Sequence, residues 1–211
     1  MRTRAELKAM AKEQIKGKIG ALFLVTAVIS VISGLAALIL SLVPLGSLIA
    51  AVIITPAFSL SLVRIYLALV NLDWKPEVKD AFSGFDDFWT AFKASFLTGL
   101  FTFLWSLLLI IPGIIKGYSY SMAMYIVAEN PGISAREAIN RSKEMMEGHK
   151  MELFILYLSF YGWMLLTVLT IGIAGIWTIP YMTATLTNFY NELKPKEATY
   201  FSASNPDFEQ F

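Results

Sequence analysis

Residues 19–43, "IGALFLVTAVISVISGLAALILSLV", contain no charged side chain. About 20 apolar residues in one helix cover the roughly 30 Å hydrocarbon core of a bilayer. Backbone in that core must satisfy its own hydrogen bonds, as a helix does. The run therefore selects a membrane-spanning helix, and the rest of the chain is read with lipid as its solvent. Composition agrees, with 56% hydrophobic and 16% charged residues and a mean hydropathy of +0.61, outside the usual soluble range. The preceding segment, "MRTRAELKAMAKEQIKGKIG", mixes acids and bases over too great a length for a signal peptide's basic region. The first run is thus expected to stay in the mature chain.

Further apolar runs follow, separated by polar stretches at 71–87 and 130–150. The expected fold is all-α, a single integral membrane domain over 1–211. It is a polytopic bundle of six spans, at about 19–43, 48–70, 92–111, 114–129, 151–171 and 174–192. Turns are expected at "PLGS" (44–47), Pro112-Gly113 and 172–175, and a flexible cytoplasmic tail over 194–211. The runs pair into three hairpin repeats, each led by a polar, partly amphipathic segment. "IITPAFSLSLVRIYLAL", "IIKGYSYSMAMYIVAEN" and "WTIPYMTATLTNFYNEL" align with Pro56, Gly117 and Pro180 in one column. The middle copy is shorter from turn to column, which places its turn deeper in the membrane.

Charge then sets orientation, because Lys and Arg concentrate on the cytoplasmic side. Arg2, Arg4, Lys8, Lys12, Lys16 and Lys18, then Lys75, Lys79 and Lys93, then Arg136, Arg141, Lys143 and Lys150, and finally Lys194 and Lys196 all fall on one side. Both termini are expected in the cytoplasm of a cell whose plasma membrane the chain crosses several times. A net charge of +1 leaves no basic surplus to neutralise phosphates, which argues against nucleic acid. With no cysteine and one histidine, His149, cysteine and multi-histidine metal sites are excluded. No metal or cofactor is expected.

The polar segments carry helix signals. Thr3 and Glu6 have the spacing of a capping box, and Ser134 and Glu137 repeat it after "ENPG". Leu7, Met10, Ala11, Ile15 and Ile19 recur at helical spacing opposite lysines. That pattern suits an amphipathic helix lying on anionic headgroups or a plain extension of the first span. Ile139, Ser142 and Met146 give the second segment a narrow face for lipid, bundle or a protein partner. Phe82, Phe85, Phe88, Trp89 and Phe92 form an aromatic stripe of the interfacial kind.

Four stretches carry a family resemblance: "AELKAMAKEQIKGK", "FSGFDDFWTAF", "IIPGIIKGYSYSMAMYIVAENPGISAREAINRSKEMMEGHK" and "IPYMTATLTNFYNEL". The chain resembles the integral membrane family catalogued as domain of unknown function 975, found mostly in Gram-positive bacteria. The resemblance implies a membrane-embedded fold. It implies no activity and no catalytic residue.

An ionisable group within a span prompts a functional reading. Lys116, near Tyr118, Ser119 and Tyr120, either lines a polar cavity or snorkels to the outer headgroups. Arg64, close to the cytoplasmic end of its span, is expected to snorkel, with Glu129 within reach as a partner. His149 reads as an interfacial polar residue. Gly113 with Gly117, and Ser30 with Gly34, are small-residue pairs that let helices approach closely. Pro56 and Pro180 are expected to kink their helices. Thr178, Thr183, Thr185, Thr187 and Asn188, with Tyr181 and Tyr190, make the sixth span the most polar.

Two functions compete. The first is a non-enzymatic bundle that organises membrane or a protein partner through its cytoplasmic helices. The second is a small transporter or channel with a cavity around Lys116. They part on one observation: transport needs a continuous polar cavity containing that lysine.

Overall fold

The computed structural model describes residues 2–43 and 45–194, with the side chains of 47–51 excepted. The expected turn at 44–47 falls partly outside these residues, and the tail beyond Lys194 wholly so. The described chain is all-helical: α1 (Arg4–Ile15), α2 (Ile19–Leu40), α3 (Gly46–Leu72), a 3₁₀ helix (Val78–Phe85), α4 (Phe88–Leu108), α5 (Ile110–Tyr120), α6 (Ala123–Glu129), α7 (Ala135–Met145), α8 (Lys150–Leu158), α9 (Tyr161–Leu169) and α10 (Gly175–Leu193).

Among the described residues, four helical runs are long and apolar enough to cross a membrane: Ile19–Leu40, Val52–Leu72, Phe88–Leu108 and Lys150–Leu169. The other two expected spans differ. Residues 110–129 divide into α5 and α6 at Ser121–Met122, and α10 carries the threonines and Asn188 that make it polar. The run 150–169 also has an interruption, at Ser159–Phe160. The turn expected at Pro112-Gly113 lies earlier, at Leu109, whose backbone is extended (φ −157°, ψ 137°). Pro112 instead falls in the first turn of α5, where the amide it lacks has no helical acceptor to lose. Helix α4 starts at Phe88, a turn before the expected 92.

Burial divides the helices into two sets. Within the apolar windows 17% of α2, 11% of α4 and 17% of the α8–α9 run is buried, against 61% for α3. Helix α6 and the second half of α10 are also almost wholly buried. So most of α3, most of α6 and the second half of α10 form an inner set, and α2, α4, the first part of α5 and α8–α9 an outer set whose Leu, Ile, Val and Phe side chains face outwards. Such an exposed apolar surface is stable only against lipid or a partner.

The three lead-in segments pack into this bundle at its charged end. Helix α1 lies on α10, the 3₁₀ helix along α3, and α7 against α4, α5 and α6. Of the two placements expected for α1, its apolar face on headgroups or a plain extension of the first span, the first is not what the structure shows. Leu7, Ala11 and Ile15 are at most 1% exposed, inside the protein core. Burying Leu7 and Ile15 contributes about 1.5–3 kcal/mol each, and the Ala11 methyl less.

Candidate functional site

The lead-in segments are fixed by polar side chains, and these contacts define the charged end. Thr3 and Glu6 close a complete capping box on α1. The Glu6 carboxylate accepts from the Thr3 amide at 2.7 Å and from its hydroxyl at 2.9 Å. These bonds favour the ionised form and hold the Glu6 carboxyl below its ordinary value. Gln14 and Asn188 exchange amide hydrogen bonds at 3.3 and 2.8 Å, and Arg2 pairs with Glu192 at 3.4 Å. The Lys8 ammonium donates to the Ser159 carbonyl at 3.0 Å and lies 4.1 Å from the centre of the Phe160 ring. It thereby caps the interruption between α8 and α9. Partial burial, and then the nearby Arg4, push the Lys8 ammonium below its ordinary pKa.

Helix α7 does the same for α5–α6. The Ser134 hydroxyl accepts from the Glu137 amide at 3.2 Å, but the Glu137 carboxylate turns to Arg141 at 2.9 Å, so only half of the expected box forms. Ser142, fully buried, donates to the Ser119 carbonyl at 2.9 Å and accepts from the Met122 amide at 3.1 Å. One hydroxyl thus satisfies both sides of the break at Ser121–Met122.

Arg64 is the largest correction among the expected site residues. It is 7% exposed and does not snorkel. One guanidinium nitrogen donates to the Ser83 carbonyl, and another pairs with Asp87. Both partners come from the polar stretch after α3, which folds back along that helix. Gly84 makes this approach possible, since a Cβ there would fall 2.7 Å from the Ser61 amide nitrogen, and the Gly84 amide donates to Ser61 Oγ at 2.8 Å. The aromatic stripe is split as a result. Phe82 and Phe85 pack around Phe58 at 6.3 and 5.3 Å, while Phe88, Phe92 and Phe96 stack along α4.

Glu129 is not brought to Arg64. It accepts from the Tyr190 hydroxyl at 2.8 Å and pairs with Lys194. Tyr190 in turn stacks on Tyr125 at 4.9 Å. His149 sits at 3.0 Å from Glu152 at the start of α8.

Lys116 is half-buried on α5 and faces α4, its ammonium 4.9 Å from the centre of the Trp105 ring. Gly113 and Gly117 face the same helix. A Cβ at Gly113 would fall 2.7 Å from the Ser106 Cα, and one at Gly117 3.6 Å from Thr102. Tyr120 is buried beside Phe101 of α4 at 6.3 Å. Tyr118, two residues from Lys116 and so on the other face of α5, meets Phe154 and Tyr157 at 6.1 Å each. Ser30 bonds only its own helix, to Thr26, and Gly34 has open space beside it. Pro56 and Pro180 are buried within α3 and α10, neither of which breaks there.

Among the described residues, two grooves on the outer surface stand out. One, between α3 and α4, is lined by Thr55, Pro56, Ser59, Ser95 and Gly99 among others. The other lies between α5 and the α8–α9 run and is lined by Gly117, Tyr118, Ser121, Phe154, Tyr157 and Tyr161 among others. Lys116 lines neither. The second groove was missed in the sequence because its tyrosines come from two distant helices. The sequence reading singled out Tyr118, beside Lys116, but neither Tyr157 nor Tyr161.

A family model described as "Protein of unknown function (DUF975)" matches residues 1–116 and 107–197. No curated protein and no solved structure matches the chain.

Proposed function

The chain belongs to the DUF975 family of proteins of unknown function, and from that premise we propose a non-enzymatic, multi-pass integral membrane protein that organises lipid or a protein partner at its charged end. Its six spans form three hairpin units, with the four long apolar helices joined by α5–α6 and α10. Both termini lie on the cytoplasmic side of the cell membrane, where the Lys and Arg residues gather.

One observation carries this reading: each lead-in segment hooks onto the inner arm of a different unit. The lead-in of the first unit, α1, docks on α10 of the third. The 3₁₀ segment of the second docks on α3 of the first, and α7 of the third docks on α5–α6 of the second. Corresponding residues make the contacts, since Arg64 and Asn188 stand at the same distance after Pro56 and Pro180. Three units closed in this way present exposed Arg4, Lys12, Lys16, Lys75 and Arg136 at one end, a surface suited to anionic headgroups. The alternative is transport through a cavity around Lys116. It is disfavoured by the packing of that side chain on Trp105, away from both grooves.

Single cysteines in this cysteine-free chain test the arrangement. Cysteines at Leu109 and Ile171, 67% and 95% exposed, should react with an impermeant maleimide outside intact cells. Cysteines at Lys12 and Arg136 should react only after permeabilisation. The reverse pattern, or labelling of all four from one side, would sink the topology. In nanodiscs, anionic phosphatidylglycerol should raise the melting temperature above that in phosphatidylcholine. The rise should disappear when Lys12 and Lys16 are both replaced by Glu.

A further inference from the structure

We infer that the small cavity between α3 and the 3₁₀ segment is a binding site for one water molecule, which joins the Asp80 carboxylate to the Arg64 guanidinium. This site lies outside the function proposed above and does not depend on which way the chain crosses the membrane.

Asp80 is a buried carboxylate with no cation of its own. It is 6% exposed, and among the described residues it makes no ion pair. Its Oδ2 atom accepts from the Trp74 indole at 3.1 Å and from the Glu77 amide at 2.9 Å. Its Oδ1 atom accepts from no described residue. A carboxylate offers about four lone-pair sites, and a charge taken out of water is costly unless it is well hydrogen-bonded. Arg64 is under-used in the same way. Its fork of N–H groups gives one to the Ser83 carbonyl and one to Asp87, and the rest have no acceptor among the described residues. Both side chains line the same cavity. Two opposite charges therefore face one space without meeting across it, which is the arrangement a bridging water completes.

Size and chemistry select the occupant. The cavity is about 20 Å³, against the roughly 10–15 Å³ that one water needs. Arg64, Asp80 and Ser83 supply the polar part of its wall, and Ile65, Ala68 and Leu72 the apolar part. A buried water commonly makes about three hydrogen bonds. Here it accepts from an Arg64 N–H, donates to the Asp80 carboxylate and donates to the Ser83 hydroxyl, which spends its own proton on the Asp80 carbonyl at 2.9 Å. The charges disfavour the competitors. Asp80 and Asp87 outweigh Arg64, so an anion is repelled, and the guanidinium in the wall repels a cation. A neutral molecule that both donates and accepts remains.

Bound there, the water gives Arg64 a second acidic partner. Asp87 follows the 3₁₀ helix (Val78–Phe85) and is held directly, while Asp80 stands near its start and is held at one remove. One guanidinium thus fastens both ends of the segment to α3.

The test is a structure of the full chain in lipid at a resolution that shows ordered water. An isolated peak within about 3.2 Å of an Arg64 nitrogen and an Asp80 oxygen is expected. It should be missing from Ala68→Val, whose added methyl groups take up the space. An unfilled cavity, a direct Arg64–Asp80 ion pair that closes it, or a peak ringed by oxygens at about 2.3–2.6 Å, as around a metal ion, would each overturn the site. A second readout needs no diffraction. A brief X-ray pulse makes hydroxyl radicals from whatever water lies beside a side chain. Oxidation of Trp74, which also lines the cavity, should persist in the presence of a bulk radical scavenger, while that of Trp89, 67% exposed, is suppressed. Equal suppression at both tryptophans would mean that only bulk water reaches Trp74, and the inference fails.

Discussion

Arg64 and Ser142 show how little a single residue reveals about its partner. A lone arginine near the end of an apolar run is most simply placed by snorkelling, and nothing in its neighbours announces Asp87 and Ser83 on a returning 3₁₀ segment. The pair is mostly buried, with side-chain exposures of 8% and 21%. Removing one member therefore strands a charge, which typically costs about 3–5 kcal/mol, whereas replacing both by well-packed neutral groups costs far less. Asp87→Ala is expected to lower the melting temperature in detergent sharply, and Arg64→Met/Asp87→Ala to recover much of the loss. Equal or additive losses would show that the ion pair is not the interaction that matters. Glu6 gives a pH dependence of definite sign. Its carboxyl is held below the ordinary value. The stability it lends is therefore complete above that value and is lost over the window in which pH falls from it through the lower, folded one. Hydrogen exchange at the first turn of α1 should accelerate in that window. It should stay flat in Glu6→Gln, which keeps the cap without the titration.

At the scale of elements, the sequence disclosed helices and their ends better than their neighbours. The apolar run 19–43, the Thr3 cap and the Ser134 cap are local signals, and each appears in the structure. The break at Ser121–Met122 has no local signal, because it is stabilised from α7, through Ser142. The turn at Leu109 was assigned instead to Pro112-Gly113, since proline and glycine mark turns as readily as they mark a helix start. The lysine face of α1 was equally consistent with headgroups and with a plain extension of the first span, and the burial of Leu7, Ala11 and Ile15 together with the Gln14–Asn188 amide pair places it on protein instead. That placement can be checked directly. Cysteines at Gln14 and Asn188 should be joined by a short thiol cross-linker in native membranes, whereas a pair at Lys12 and Asn188, with Lys12 facing solvent, should not. Failure of the first pair would return α1 to the membrane surface.

For the molecule as a whole, the composition established that most of the exterior must be apolar, and the structure shows which helices provide it. The inner set could not be told from the outer set by hydropathy alone, since α3 is as apolar as α4 yet far more buried. The closed arrangement of lead-ins makes a prediction at this scale. Deleting residues 2–16 leaves the four long apolar helices intact, so the protein should still resist alkaline extraction from membranes. It should also lose the burial of Leu7, Ala11 and Ile15 and melt several degrees lower, as a change of a few kcal/mol does in a chain of this size. An unchanged melting temperature would mean that α1 does not close the bundle.

The hydrogen bonds between Gln14 and Asn188 join residues 174 positions apart. During synthesis at about 5–20 residues per second, α1 emerges long before the surface of α10 that receives it. For roughly ten seconds or more its Leu7, Ala11 and Ile15 have no protein to rest on. The basic flank and apolar stripe that left its final position open between headgroups and a plain extension would suit a nascent helix resting on the membrane surface during that interval.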